Sequence, residues 1–91
     1  MTIELGPVDI RQLVSEVYQL FKDPISEKGL NYSTQVSESV PKFVISDSNR
    51  IRQILINLIG NAFKFTDQGQ IELVVDWQIE QAENQLGRRA G

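Results

Sequence analysis

The hydrophobic positions of this 91-residue chain change period several times, and each change marks an element. From Asp9 onward, Ile10, Leu13, Val14, Val17 and Phe21 recur at three- and four-residue steps. That spacing sets them on one face of a helix, with Asp9 as its cap and Gln12 at the capping-box position. Pro24 has no backbone donor and is expected to kink or interrupt this helix, and Gly29 after Lys28 reads as its C-terminal stop. Leu30, Tyr32, Thr34 and Val36 then alternate with polar residues, which predicts a half-buried strand. Beyond the polar stretch Ser37 to Ser39, the run Phe43, Val44 and Ile45 after Pro41 predicts a second, shorter strand. A hairpin or a short crossover would join the two.

Ser46, Asp47 and Ser48 form a helix-entry signal, and from about Ser48 to Phe65 the apolar period is helical again. Ile51, Ile54, Leu55, Leu58, Ile59, Ala62 and Phe63 carry it, and this is the strongest structural signal in the chain. Thr66, Asp67, Gln68 and Gly69 make a turn, after which Ile71, Leu73, Val75 and Trp77 alternate as a strand buried on one side, Trp77 being read as core. From Gln78 to Gly91 the composition is polar and predicts a mobile tail or a frayed helix. The order helix, strand, strand, helix, strand predicts an α/β (α+β) two-layer sandwich, a single domain over residues 1–91 with residues 78–91 as its tail.

Composition narrows the functional classes. The chain has no histidine, so it offers no imidazole as base, metal ligand or phosphoacceptor, and no cysteine, so disulfides and thiolate metal sites are excluded. Its net charge of −3 gives no broad positive field for nucleic acid, and any anion site must be local. No apolar run is long enough to span a membrane and no leader pattern opens the chain, which makes the cytoplasm the expected compartment.

On the second helix, Arg50, Asn57, Asn61 and Lys64 fall in a narrow polar stripe away from the apolar face, with Gln53 at its border. Asparagine presents a neutral amide oxygen that can ligate a hard cation, and one helical turn brings Asn57 and Asn61 together. Lys64 adds an ammonium for phosphate oxygens and Phe65 an aromatic surface for a purine. Polar residues on an outer helix face are commonly solvated and inert, and a Phe at a helix end commonly plugs a core. Two asparagines inside a well-formed helix nevertheless cost a few tenths of a kcal/mol each against better helix formers.

The segment from Asp47 to Thr66, with Asn57 and Asn61 four apart, the pair Asn61-Ala62 and the ending Lys64-Phe65-Thr66, closely resembles the N box of bacterial histidine kinases. The resemblance runs more weakly upstream, through the corner Glu27-Lys28-Gly29-Leu30, and covers about residues 8–77. It implies an incomplete Bergerat-type ATPase fold, the sandwich shared with gyrase and the mismatch-repair ATPases. By the same resemblance, Asn61 is the Mg²⁺-coordinating asparagine, Asn57 a supporting metal or water contact, Lys64 a phosphate contact and Phe65 a contact near adenine or ribose, while Arg50 has a weaker nucleotide assignment. The ATP-hydrolysing relatives place a water-activating glutamate where Asn57 stands, so the kinase branch fits better.

The family's Asp-x-Gly-x-Gly motif, lid and second glycine-rich loop are not found in the sequence, nor is a phosphoaccepting histidine. The chain is therefore expected to be an N-terminal fragment of the ATP-binding domain of a sensor histidine kinase, inactive alone, with no catalytic residue of its own and weak or absent binding of ATP and Mg²⁺. The implied partners are ATP, the histidine-bearing dimerisation domain and a response regulator of the parent system. The alternative is a degenerate, inactive ATPase-like module used for association, as a homodimer formed through exposed sheet edge or apolar surface.

Overall fold

The computed structural model describes residues 3–77. In chain order the elements are β1 (Gly6–Val8), α1 (Ile10–Glu27), β2 (Asn31–Val36), β3 (Val44–Ser46), α2 (Ser48–Phe65) and β4 (Gln70–Val75). The five expected elements are present in the expected order, and β1 precedes them. The polar tail lies outside the described residues.

Asp9 caps α1 with Oδ1 accepting from the Gln12 amide at 3.1 Å, which satisfies one of the orphan donors of the first turn. Leu13, Val14 and Val17 are buried as the spacing requires. Pro24 does not interrupt the helix: α1 continues through it to Glu27 and stops at Gly29 as expected. The last turn is held after the proline by two features. Ile25 is fully buried, and Gly29, at φ +80°, closes the helix with the Leu30 amide donating to Ile25 O at 3.2 Å and the Gly29 amide to Ser26 O at 2.9 Å. This pair of bonds is a Schellman cap, and the burial of Ile25 against Leu30 within one cluster supplies its usual apolar contact.

The strands form two two-stranded sheets. β1 pairs antiparallel with β3, Gly6 opposite Ser46, whereas β2 pairs parallel with β4, Asn31 opposite Gln70 and Val36 opposite Val75. β2 and β3 are thus not a hairpin; they belong to different sheets. Parallel partners need a long crossover, and here β3 and α2 supply it. Alternation holds on the inner face of the β2–β4 ribbon, where Ile71 is buried and Tyr32, Leu73, Val36 and Val75 pack against the core. The loop between β2 and β3 is fastened from both sides. Arg11 on α1 donates to Val40 O at 2.9 Å and Ser37 O at 3.1 Å, and Ser39 Oγ donates to Asp76 Oδ1 at 3.1 Å. The Asp76 carboxyl is held below its ordinary range chiefly by the Trp77 amide, with Ser39 adding to the effect.

Trp77 is not core. It is 41% exposed, because ribbon pairing stops at Val75 and the alternation no longer carries its side chain to the inner face. Instead it lines a cavity of about 460 Å³ with Phe43, Ile45, Ile10, Ile51 and Val75. Ile54 and Leu58 also depart from expectation, at 52% and 53% exposed. The reason is where α1 lies: the Phe21 ring packs over Gly60, so close that a Cβ there would touch it, and Glu16 meets Arg52 at 3.0 Å. α1 therefore covers the Ile56 side of α2, so Ile56 packs against the core and the Ile54 side stays open.

Tyr32 stacks on Tyr18 with centroids 4.3 Å apart, and its hydroxyl is buried without a partner among the described residues. Burial, reinforced by Tyr18, pushes its pKa from 10.0 up to about 12. A raised phenol pKa gives stability that is whole below pH 10 and lost as pH climbs toward the folded value. Tyr32→Phe is expected to leave stability unchanged or raise it by about 1 kcal/mol at neutral pH, and to flatten the decline between pH 10 and 12, as read from urea-unfolding midpoints of the two proteins across that range.

Candidate functional site

The rotation of α2 is set at its entry and along its buried face. Asp47 Oδ1 accepts from the amides of Asn49 at 3.1 Å and Arg50 at 3.2 Å, while Oδ2 accepts from the Glu4 amide at 3.3 Å. One carboxylate thus serves both the helix N-terminus and the segment leading into β1. Leu55 and Ile59 are buried, which turns the opposite side of the helix to water.

That opposite side carries every residue singled out from the sequence. Arg50, Gln53, Asn57, Asn61, Lys64 and Phe65 are all exposed, and Arg50, Asn57, Asn61 and Lys64 fall within about 60° of arc at ideal helical pitch. Gln53 Nε2 donates to Asn57 Oδ1 at 3.1 Å, which orients the Asn57 amide and leaves its oxygen one further lone pair. The Asn61 side chain has no hydrogen-bond partner among the described residues. Lys64 Nζ lies 5.4 Å from the centroid of the Phe65 ring, and that ring is 75% exposed, so Phe65 is no helix-end plug. Ile54 and Leu58 extend the same surface as an apolar strip beside the amides.

The electrostatics of α2 oppose those of the whole chain. From Ser48 to Phe65 it has Arg50, Arg52 and Lys64 and no carboxylate, against a net charge of −3 overall. Such a face suits an anion. Among the described residues no group of three or more His, Cys, Asp or Glu side chains could hold a metal, so a cation here would need amide oxygens and oxygens brought by its ligand. None of the six residues lines the Trp77 cavity, which is a separate feature. Sequence reasoning missed Lys28, whose Nζ donates to Phe63 O at 2.7 Å across the gap between the helices; nothing in its spacing marks a contact between elements.

No family model matches the chain. Individual proteins do. It is 43% identical over 75 residues to Probable histidine kinase 3 of rice, covering 82% of this chain, and 37% identical over 76 residues, 84% of this chain, to the signal transduction histidine-protein kinase BarA of Escherichia coli. Hybrid signal transduction histidine kinase K of Dictyostelium discoideum is 36% identical over 91% of it. The catalytic domain of histidine kinase ThkA superimposes with a TM-score of 0.74 at 28% identity, over 84% of this chain and 52% of that one. The chain belongs to the sensor histidine kinase catalytic domains. Full-length ShkA, solved in complex with AMPPNP, matches this catalytic-domain segment with a TM-score of 0.75 at 39% identity, over 81% of this chain and 16% of that one. The chain spans about 7% of the length of the rice kinase.

The shared carboxylate at the entry of the kinase helix has a measurable role. Asp47→Ala is expected to lower stability by about 1–2 kcal/mol, and Asn61→Ala, on the open face, to stay within about 0.5 kcal/mol, both read by urea denaturation.

Proposed function

We propose that the outer edge of α2 contacts the phosphates and Mg²⁺ of ATP, and that the protein to which this segment belongs transfers the γ-phosphoryl group to a histidine in two-component signalling. The observation that carries the reading is the coincidence, on one exposed face, of an Asn61 amide without a partner among the described residues, an oriented Asn57 amide and the Lys64 ammonium, on a helix without a carboxylate. ShkA, solved with AMPPNP, supports it by similarity.

The donor set fits the group. Mg²⁺ is hard, prefers oxygen and keeps several waters, so one or two amide oxygens beside phosphate oxygens suffice. When bound, the nucleotide supplies the transferable phosphoryl group and the metal neutralises part of its charge. Asn61 would hold the metal and Asn57 a metal or water contact, with Gln53 fixing the rotamer of Asn57. Lys64 would balance phosphate charge, Phe65 would lie along adenine or ribose, and Arg50 would add positive potential at the far end. Asn57 is no base, so activation of water is not part of its work. The partners proposed for the parent are the histidine-bearing dimerisation domain and a response regulator, the latter in keeping with the ThkA complex with response regulator TrrA.

A second reading, association through apolar surface, is favoured by Phe43 at 54%, Ile45 at 72%, Val74 at 56% and Trp77 at 41% exposure. Such side chains are costly to leave wet. Light scattering over a concentration series decides it, a stable dimer supporting association and a monomer opposing it.

For the nucleotide reading, Mg-AMPPNP titrated into the chain and followed by backbone amide shifts is expected to bind weakly and move residues 57–65. The response should require magnesium, and Asn61→Ala should weaken it by about fivefold, close to 1 kcal/mol. Shifts that ignore magnesium, or that gather at Trp77, would overturn the assignment.

A further inference from the structure

We infer that Lys28 is a positioning residue, a clamp that holds the C-terminal turn of α2, and with it Asn61, Lys64 and Phe65, in the place where they act. For its purpose the inference rests on the nucleotide reading of α2; the clamp itself rests on geometry alone.

The two helices end differently. α1 has its glycine cap, whereas α2 runs into Thr66 in extended conformation, φ −107° and ψ 115°, with no left-handed residue to fold the chain back onto its last carbonyls. The final four carbonyls of a helix have no partner within it and carry the negative end of its dipole. Lys64, the basic residue of that turn, does not cap them, since its ammonium is the one near the Phe65 ring.

Lys28 fills the role from another element. Its Nζ donates to Phe63 O at 2.7 Å and stands 4.7 Å from the centroid of the Phe63 ring. It also lies 3.5 Å from Asp67 Oδ1. That last pair is the least of the three, because the Asp67 side chain is 90% exposed and exposed ion pairs contribute little. A charge-assisted bond to a carbonyl is stronger, and the Lys28 side chain is only 28% exposed. A second tie lies close by in the chain, where the Asn31 amide donates to Gly69 O at 3.1 Å. The corner after α1 therefore holds both the last turn of α2 and the loop that follows it, and the carbonyl that Lys28 holds lies directly before Lys64 and two residues beyond Asn61 in the chain.

Lys28→Met keeps the stem and removes the ammonium; Lys28→Arg keeps charge and donors. In the unliganded chain, amide hydrogen exchange at Phe63, Lys64 and Phe65 is expected to speed up about tenfold in Lys28→Met relative to residues 51–55, the scale of one lost charged hydrogen bond. Lys28→Arg should recover most of that protection. The Asn61 side-chain amide signals should shift in Lys28→Met and return in Lys28→Arg. Exchange that rises equally along the whole helix, no change at the last turn, or no recovery by arginine would overturn the clamp. Mg-AMPPNP titrated into the same three proteins separates the two ideas. Binding by the unsubstituted chain that weakens several-fold in Lys28→Met supports both, binding that is indifferent to Lys28→Met overturns the positioning role, and no response in the unsubstituted chain counts against the nucleotide reading while exchange still decides the clamp.

Discussion

Burial of Leu55 and Ile59 is the constraint from which the rest of this molecule follows. With those two side chains in the core, α2 can take only one rotation about its axis, and the stripe from Arg50 to Lys64 must face water. α1 completes the arrangement by covering one flank of α2 through Phe21 and Glu16 and leaving the other bare. The open flank is where an amide-rich edge and the apolar strip of Ile54 and Leu58 lie side by side. A helix packed symmetrically would have hidden part of that edge.

The ends of the elements are fixed by polar contacts that reach between segments distant in sequence. Asp47 takes amides from its own helix and from Glu4, Arg11 gathers the carbonyls of the β2–β3 loop, and Lys28 reaches the last turn of α2. Each replaces a local capping device or supplements one. The apolar core provides the bulk of the stabilisation, and these contacts set where its polar edges come to rest.

Local periodicity made most of the fold legible. α1, β2, α2 and β4 each have an unbroken period of 3.6 or 2, and both helix entries carry an aspartate whose side chain does what its position suggests. β1 was not legible, because three residues containing Pro7 have no period; it exists only by pairing with β3. Trp77 continues the alternation of β4 in sequence but not in structure, since pairing with β2 stops at Val75. Ile54 and Leu58 share the apolar period of α2 yet stay exposed, because the helical pattern alone does not say on which flank a neighbour will pack. The candidate edge was readable to the extent that Asn57, Asn61 and Lys64 share a face by spacing; the Gln53 contact to Asn57 and the role of Lys28 depend on rotamers and on tertiary approach, which no pattern encodes.

The parallel pairing of β2 with β4 has a kinetic corollary. Asn31 and Gln70 are neighbours across an intervening stretch that holds β3, α2 and the turn at Gly69, and loop closure over such a separation is slow compared with helix growth. The two helices can take shape from near contacts, while both strand pairs, β1–β3 and β2–β4, must each close a similarly long separation along the chain. Until the ribbon closes, the inner faces of Tyr32 and Ile71 stay in water, and the window before they meet leaves the chain open to mispairing with another strand edge.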